Sequence, residues 1–239
     1  MHTVCHPGQL EKEIISSLQF MQQIVTMVGL DCHFVLTYSK TKGTEPIVAA
    51  FSQLGISFEK KKCSDIRSGP RIELYTRDLR ARKWPLAAAW IDNKGQKGAS
   101  LLCQSMILSC ERVLALLLER LGNNLPFWLT PEQVRIFVVD PQCSLWAAEI
   151  KDRLTRAGIR AKVDTQMASL STKIYEASQQ NIPVGIVLGE RELKKQILNV
   201  RLLQGWQQSA EMDCDVVVEE LIRCNQSYKL NFDIGYKKH

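Results

Sequence analysis

The 239-residue chain has no long hydrophobic run. Its longest apolar stretches, such as Leu114 to Leu118, fall far short of the ~20 residues that a bilayer-spanning helix needs, so no membrane association is expected. Eight cysteines include no CxxC pair, which excludes zinc-ribbon spacing and favours reduced thiols in a cytoplasmic setting. Histidine is scarce, at four, and none stands in a Ser/His/Asp or Cys/His pattern that local spacing supports. There is no GxxxxGK(S/T) loop, and Lys94-Gly95-Gln96-Lys97-Gly98 reads as a turn. The opening residues lack a basic segment followed by an apolar one, so no secretory leader is expected. The five tryptophans read as core or interface residues, with Trp206, beside Gly205, as a candidate exposed anchor.

What is present describes a folded protein. Hydrophobic residues make up 45% and charged residues 23%, ordinary values for a globular chain long enough for two domains. The net charge of +6 is uneven. Residues 1–122 hold 16 Lys/Arg against 11 Asp/Glu, and residues 123–239 hold 15 against 14. The excess gathers in Lys60-Lys61-Lys62 and in Arg67, Arg71, Arg77, Arg80, Arg82 and Lys83. Such a stretch attracts phosphate backbones; a solvated face with interleaved Glu59, Asp65, Glu73 and Asp78 is the competing reading.

Periodicity predicts helices over 9–29, 45–54 and 101–121, and strands over 33–38, 71–79 and 84–92. Gly122-Asn123-Asn124 marks a domain boundary. Beyond it, strands over 134–139, 160–164, 184–188 and 197–201 alternate with helices over 144–157, 170–180 and 215–224. That alternation predicts a three-layer α/β domain with a mostly parallel sheet and a polar tail from Asn225.

Residues 126–134, a proline-bracketed aromatic turn feeding a strand, and residues 157–164 resemble the start of the anticodon-binding domain of threonyl-tRNA synthetases. The resemblance extends in order over nearly the whole chain. His2-Thr3-Val4-Cys5 resembles the segment after class II motif 2, and Gly69-Pro70-Arg71-Ile72-Glu73 resembles the family's "GPKIE" strand. Trp84 to Asp92 stands where the family has "WQCGTVQLD", and Ser109-Cys110-Glu111-Arg112 resembles motif 3, "GSxER". This implies a partial class II core over 1–122, an antiparallel sheet with helices, followed by an anticodon-binding domain over 125–239.

The departures shape the functional expectation. The resemblance places the motif 2 arginine upstream of Met1 and leaves Arg71 and Arg112 as a nucleotide-site remnant, with Leu108 in place of a glycine. Pro85, Leu86, Ala87, Ala88 and Trp90 replace polar residues of the substrate strand, and such a strand cannot hydrogen-bond a substrate. His2 and Cys103 fall at two of three zinc-ligand positions, a poor site, so no metal or other cofactor is expected. His2, Cys5 and His6 read as exposed, unliganded side chains. In the second domain Lys173, Glu192 and Arg201 match family residues implied in RNA binding, while Gln166, Ser171 and Leu203 do not. The expectation is a protein without aminoacylation activity that binds tRNA or another RNA weakly in a regulatory role. The alternative is an accessory or scaffold subunit. In either case a protein partner or a second copy covers the open sheet edge.

Overall fold

The computed structural model describes residues 1–64, 69–92, 99–122, 124–203 and 209–228. The chain divides into two compact units, Met1–Gly122 and Asn123–His239. Arg67, Asp65, the turn at 93–98 and Trp206 lie outside the described residues.

The first unit runs β1 (His2–Cys5), α1 (Leu10–Val28), β2 (Cys32–Tyr38), α2 (Glu45–Leu54), β3 (Phe58–Lys62), β4 (Arg71–Arg77), β5 (Lys83–Asp92), β6 (Ser100–Ser105) and α3 (Cys110–Leu121). The strands form one sheet in the order β1-β6-β5-β4-β2-β3, antiparallel except for the β2–β3 pair. α1 buries Leu10, Ile14, Leu18, Met21 and Val28 at helical spacing, and its Ser17 hydroxyl donates to Gln104 Oε1 on β6 at 2.8 Å. Gly29 and Gly55 close α1 and α2 in the left-handed region, where a side chain would be strained. Phe51 of α2 is fully buried, stacked on Phe58 at 4.3 Å and edge-on to Phe34 at 5.6 Å. Ile72, Leu74 and Thr76 of β4 are all buried, as period-two alternation predicts.

The helix expected over 101–121 is corrected. Residues 100–105 are the strand β6, and the helix begins only at Cys110. β6 lies between β1 and β5, and its Leu102, Cys103 and Gln104 are all buried. A strand flanked on both sides reads as a continuous apolar run, which periodicity cannot tell from a buried helix. Ser109 supplies the stop and start: its backbone is extended, and its Oγ accepts the Arg112 N–H at 3.2 Å. β1 and β3 were not predicted either; both are short edge strands with exposed polar positions.

The second unit runs β7 (Val134–Val138), α4 (Ser144–Arg156), β8 (Ala161–Asp164), α5 (Leu170–Gln179), β9 (Val184–Leu188), α6 (Glu190–Lys195), β10 (Ile197–Leu202), β11 (Ser209–Asp213) and α7 (Cys214–Ser227). The sheet order is β11-β10-β9-β7-β8. β8, β7 and β9 are parallel, whereas β10 and β11 are antiparallel, so half the pairings rather than most are parallel. One sheet face packs on Ala147, Ile150 and Leu154 of α4 and on Val217, Val218 and Leu221 of α7. The other buries Phe137, Val187 and Leu203 against Ile174 and Ala177 of α5. These are the three layers expected. α7 continues to Ser227 because Asn225 is not solvated tail: its Oδ1 accepts from the buried Gln133 Nε2 at 2.8 Å.

Leu102→Ala, in the centre of β6, is expected to cost about 2–5 kcal/mol. Ser109→Ala, at the helix cap, is expected to cost about 1 kcal/mol. Urea unfolding of the full chain measures both; a Leu102→Ala loss no larger than that of Ser109→Ala would contradict a buried strand at 100–105.

Candidate nucleic-acid interface

In the first unit the two remnant arginines each lie on an indole. The Arg71 guanidinium sits 5.2 Å from the Trp90 ring, its cross-strand neighbour, and 3.8 Å from the Glu73 carboxylate. Its Nε is buried and unpartnered. Arg112, at the start of α3, sits 5.1 Å from the Trp84 ring and donates to the Pro85 carbonyl at 3.4 Å. Six residues of strand, roughly 20 Å, separate the two tryptophans. The structure does not bring Arg71 and Arg112 together around one ligand. Between them Leu86, Ala87 and Ala88 are buried, and a register shift opposite Leu74 and Tyr75 leaves Leu86 without a cross-strand partner.

The β4–β5 hairpin is organised by Asp78, a buried carboxylate. It accepts from the Arg80 and Arg82 backbone N–H groups at 3.0 and 2.8 Å, from Arg82 Nε at 2.6 Å and from Trp84 Nε1 at 2.9 Å. The Trp84 hydrogen bond, with those from Arg82, outweighs desolvation and holds the carboxyl at about 2, below its ordinary 3.8.

The second unit carries a groove of about 370 Å³ at the carboxyl ends of β7 and β8. Val138, Val139, Pro141, Ser144, residues 165–170 and Lys173 line it. This is where parallel α/β sheets place ligands, because the strand ends diverge between the helices that follow them. Lys173 is only 3% exposed and forms the groove's floor. Its ammonium donates to the Val138 and Asp164 carbonyls at 3.2 and 3.3 Å and lies 3.5 Å from Asp164 Oδ1. It is therefore neither a surface charge nor a free cation. The Asp164 Oδ1 also accepts the Gln166 N–H at 3.0 Å, and Ser169 caps α5 by accepting from Thr172 N–H at 3.2 Å. These bonds shape the 164–169 loop and leave Met167 fully exposed on the rim. The groove offers hydroxyls, an amide and an apolar ledge, with its one cation neutralised.

Glu192 lies 9% exposed at the end of β9 and caps α6, where its Oε2 accepts the Gly189 N–H at 3.0 Å. Arg201 stands apart, opposite Gly185 near the other end of β9. Its Nε is buried and unpartnered, and so is the Oδ1 of Asn199, two residues away on the same face. Leu203, at a position where the family resemblance has an arginine, is core. Asp164 and Asn199 were missed as functional candidates; the signal for Asn199 was a lone amide in an apolar strand.

His2 Nδ1 and Cys103 Sγ meet at 3.1 Å. Burial, ahead of the nearby Asp92, pushes the Cys103 thiol up, away from the thiolate a metal needs. Among the described residues no group of three or more His, Cys, Asp or Glu is placed to hold a metal ion. Among them, too, no helix is long and apolar enough to cross a membrane.

Comparison with known proteins bears on both units. Residues 133–224 match the family model described as anticodon binding domain. The chain is 28% identical over 252 residues to the threonine–tRNA ligase of Solidesulfovibrio magneticus, covering 95% of this chain and 39% of that protein. With the threonine–tRNA ligase of Maridesulfovibrio salexigens the figures are 26%, 96% and 41%. The chain thus spans about two fifths of the length of these curated relatives. Its fold matches the crystal structure of the RNA binding domain of threonyl-tRNA synthetase from Cryptosporidium parvum with a TM-score of 0.81 at 19% identity. That match covers 96% of this chain and 63% of the other.

Lys173→Ala is expected to cost about 3–5 kcal/mol in urea unfolding, because Asp164 stays buried without its cation. A loss below about 1 kcal/mol would mean that the ammonium is solvated. Asp78 gives a pH signature. Its depressed pKa contributes stability that is present above the ordinary 3.8 and lost as the pH falls to about 2. The stability difference between the wild type and Asp78→Asn, followed by thermal unfolding across that range, should shrink with acid; a constant difference would refute the assignment.

Proposed function

We propose that this chain, which carries a threonyl-tRNA-synthetase-like anticodon-binding region, binds tRNA or a related RNA through its second unit and does not aminoacylate. The observation that carries this reading is the contrast between the two units. The second has a shaped groove at the strand ends, with Arg201 Nε and Asn199 Oδ1 buried without a hydrogen bond on the adjoining sheet. The first has Pro85, Leu86, Ala87, Ala88 and Trp90 in its substrate strand, three of them buried and none able to recognise a substrate hydroxyl. Each remnant arginine, besides, is stacked on an indole instead of facing a shared site. A regulatory role in the cytoplasm belongs to the same proposal.

A second reading, an accessory or scaffold subunit, is favoured by one observation. Ile107, Leu108, Leu114 and Leu118, on and just before α3, are exposed. An apolar stripe of this kind suits a protein partner or a second copy. Salt separates the two, since RNA binding weakens steeply with it and an apolar interface does not.

Fluorescence anisotropy of the full chain against bulk tRNA and an unstructured RNA is expected to show salt-sensitive binding that prefers tRNA. Arg201→Ala should weaken it by about 1.5 kcal/mol or more, roughly tenfold. Threonine-dependent ATP–pyrophosphate exchange should be absent. Failure to bind any RNA at low salt would sink the RNA reading, and measurable exchange would sink the non-catalytic one.

A further inference from the structure

Among the residues lining the second unit's groove the one cation is paired, so charge that attracts an RNA backbone has to be sought outside it. The first unit sorts its basic residues into two groups. Arg71, Arg82 and Lys83 are committed to Glu73, Asp78 and Glu59, and Arg77 donates to the Ala81 carbonyl. Lys60, Lys61 and Lys62 make no ion pair among the described residues, the Lys60 ammonium lying 5.8 Å from the Phe58 ring. They occupy the exposed edge strand β3, Lys60 and Lys62 on one face and Lys61 on the other.

The fold adds two more lysines that the sequence does not group with them. Lys62 pairs with Tyr38 at the parallel ends of β2 and β3, and the Cys63 N–H donates to the Tyr38 carbonyl at 2.9 Å. The chain leaves Tyr38 directly into the turn that carries Lys40 and Lys42, both exposed. The Thr44 N–H and hydroxyl donate to the Thr41 carbonyl at 3.1 and 2.7 Å and hold that turn folded. Among the described residues, the carboxylates close to these lysines in sequence or strand register have other partners: Glu45 accepts the Gly43 N–H at 2.7 Å, Glu73 accepts the Thr37 hydroxyl at 2.7 Å, and Glu59 pairs with Lys83.

We propose that Lys40, Lys42, Lys60, Lys61 and Lys62 form a docking surface on the first unit for the phosphate backbone of RNA. The proposal rests on the RNA-binding reading above and names the surface that supplies its charge. Lysines on an edge strand also discourage strand-to-strand pairing, but that accounts for β3 alone and not for Lys40 and Lys42. An anionic membrane surface would call for apolar side chains beside the lysines. Among the described residues the exposed large hydrophobics are not in these segments, whose sequence neighbours include Ser39, Thr41, Gly43 and Ser64.

The test compares the full-length wild type with K60Q/K61Q/K62Q, with K40Q/K42Q and with Arg201→Ala, in titrations of bulk tRNA and poly(U) at several salt concentrations. K40Q/K42Q changes only a surface turn and keeps the test valid if the triple variant folds poorly. The expected result is about tenfold weaker binding by the triple variant at 50 mM salt, with its log–log salt slope reduced by about 2. K40Q/K42Q should show a smaller change of the same kind, and Arg201→Ala should lose affinity with little change in slope. Unchanged affinity and slope in both lysine variants, with wild-type binding intact, would overturn the lysine surface and leave the second-unit reading standing. Self-association of the triple variant with unchanged RNA binding would assign the lysines to edge protection and overturn it as well. So would tighter binding of the wild type to phosphatidylserine vesicles than to either RNA. No RNA binding by the wild type at low salt would overturn both readings.

Discussion

The Lys173 ammonium joins the Val138 and Asp164 carbonyls at the ends of two parallel strands, and the shape of the groove depends on that tie. Parallel strand ends splay as the chain turns outward into helices, leaving carbonyls without partners in the sheet. A buried cation satisfies two of them and is itself neutralised by the Asp164 carboxylate. The same carboxylate accepts a backbone N–H two residues on, so the 164–169 loop, the α5 cap and the groove wall follow from one polar cluster. A side chain that would serve as a phosphate clamp on the surface becomes, when buried, a structural support.

The first unit shows the reverse. Its sheet has a buried, helix-backed face, yet Arg71 and Arg112 have found partners within the protein. Arg71 rests on Trp90 and Arg112 on Trp84, and the strand between these indoles is apolar and largely buried. Side chains that pack this way stabilise the fold and no longer present hydrogen-bonding groups to a ligand. Cations without an ion pair among the described residues include Lys60, Lys61 and Lys62, on the edge strand β3, three strands from β5.

Much of the architecture was legible in the residues because each element carries its own local signal. α1 and α2 have helical spacing and closing glycines, β4 alternates with period two, and β9 is an uninterrupted apolar run between turn residues. Where the signal is ambiguous the reading failed. β6 has the composition of a buried helix and becomes a strand because β1 and β5 flank it. β3, with three lysines in five residues, has no apolar pattern at all; it is a strand because β2 offers it backbone partners.

The candidate site divides in the same way. Residue identities alone establish that residues 85–89 carry no polar side chain, that the charge is concentrated in the first half and that the second half alternates strands and helices. These are properties of composition and order, which folding does not alter. Whether a given charge is available is a matter of three-dimensional neighbours. Only the tertiary structure buries Lys173, turns Glu192 into a helix cap, leaves Arg201 Nε and Asn199 Oδ1 buried without a hydrogen bond and pairs Lys62 with Tyr38, two residues before Lys40. The reason is physical: burial and ion pairing join residues far apart in the chain, and a side chain's chemistry is decided by what stands within a few ångströms of it.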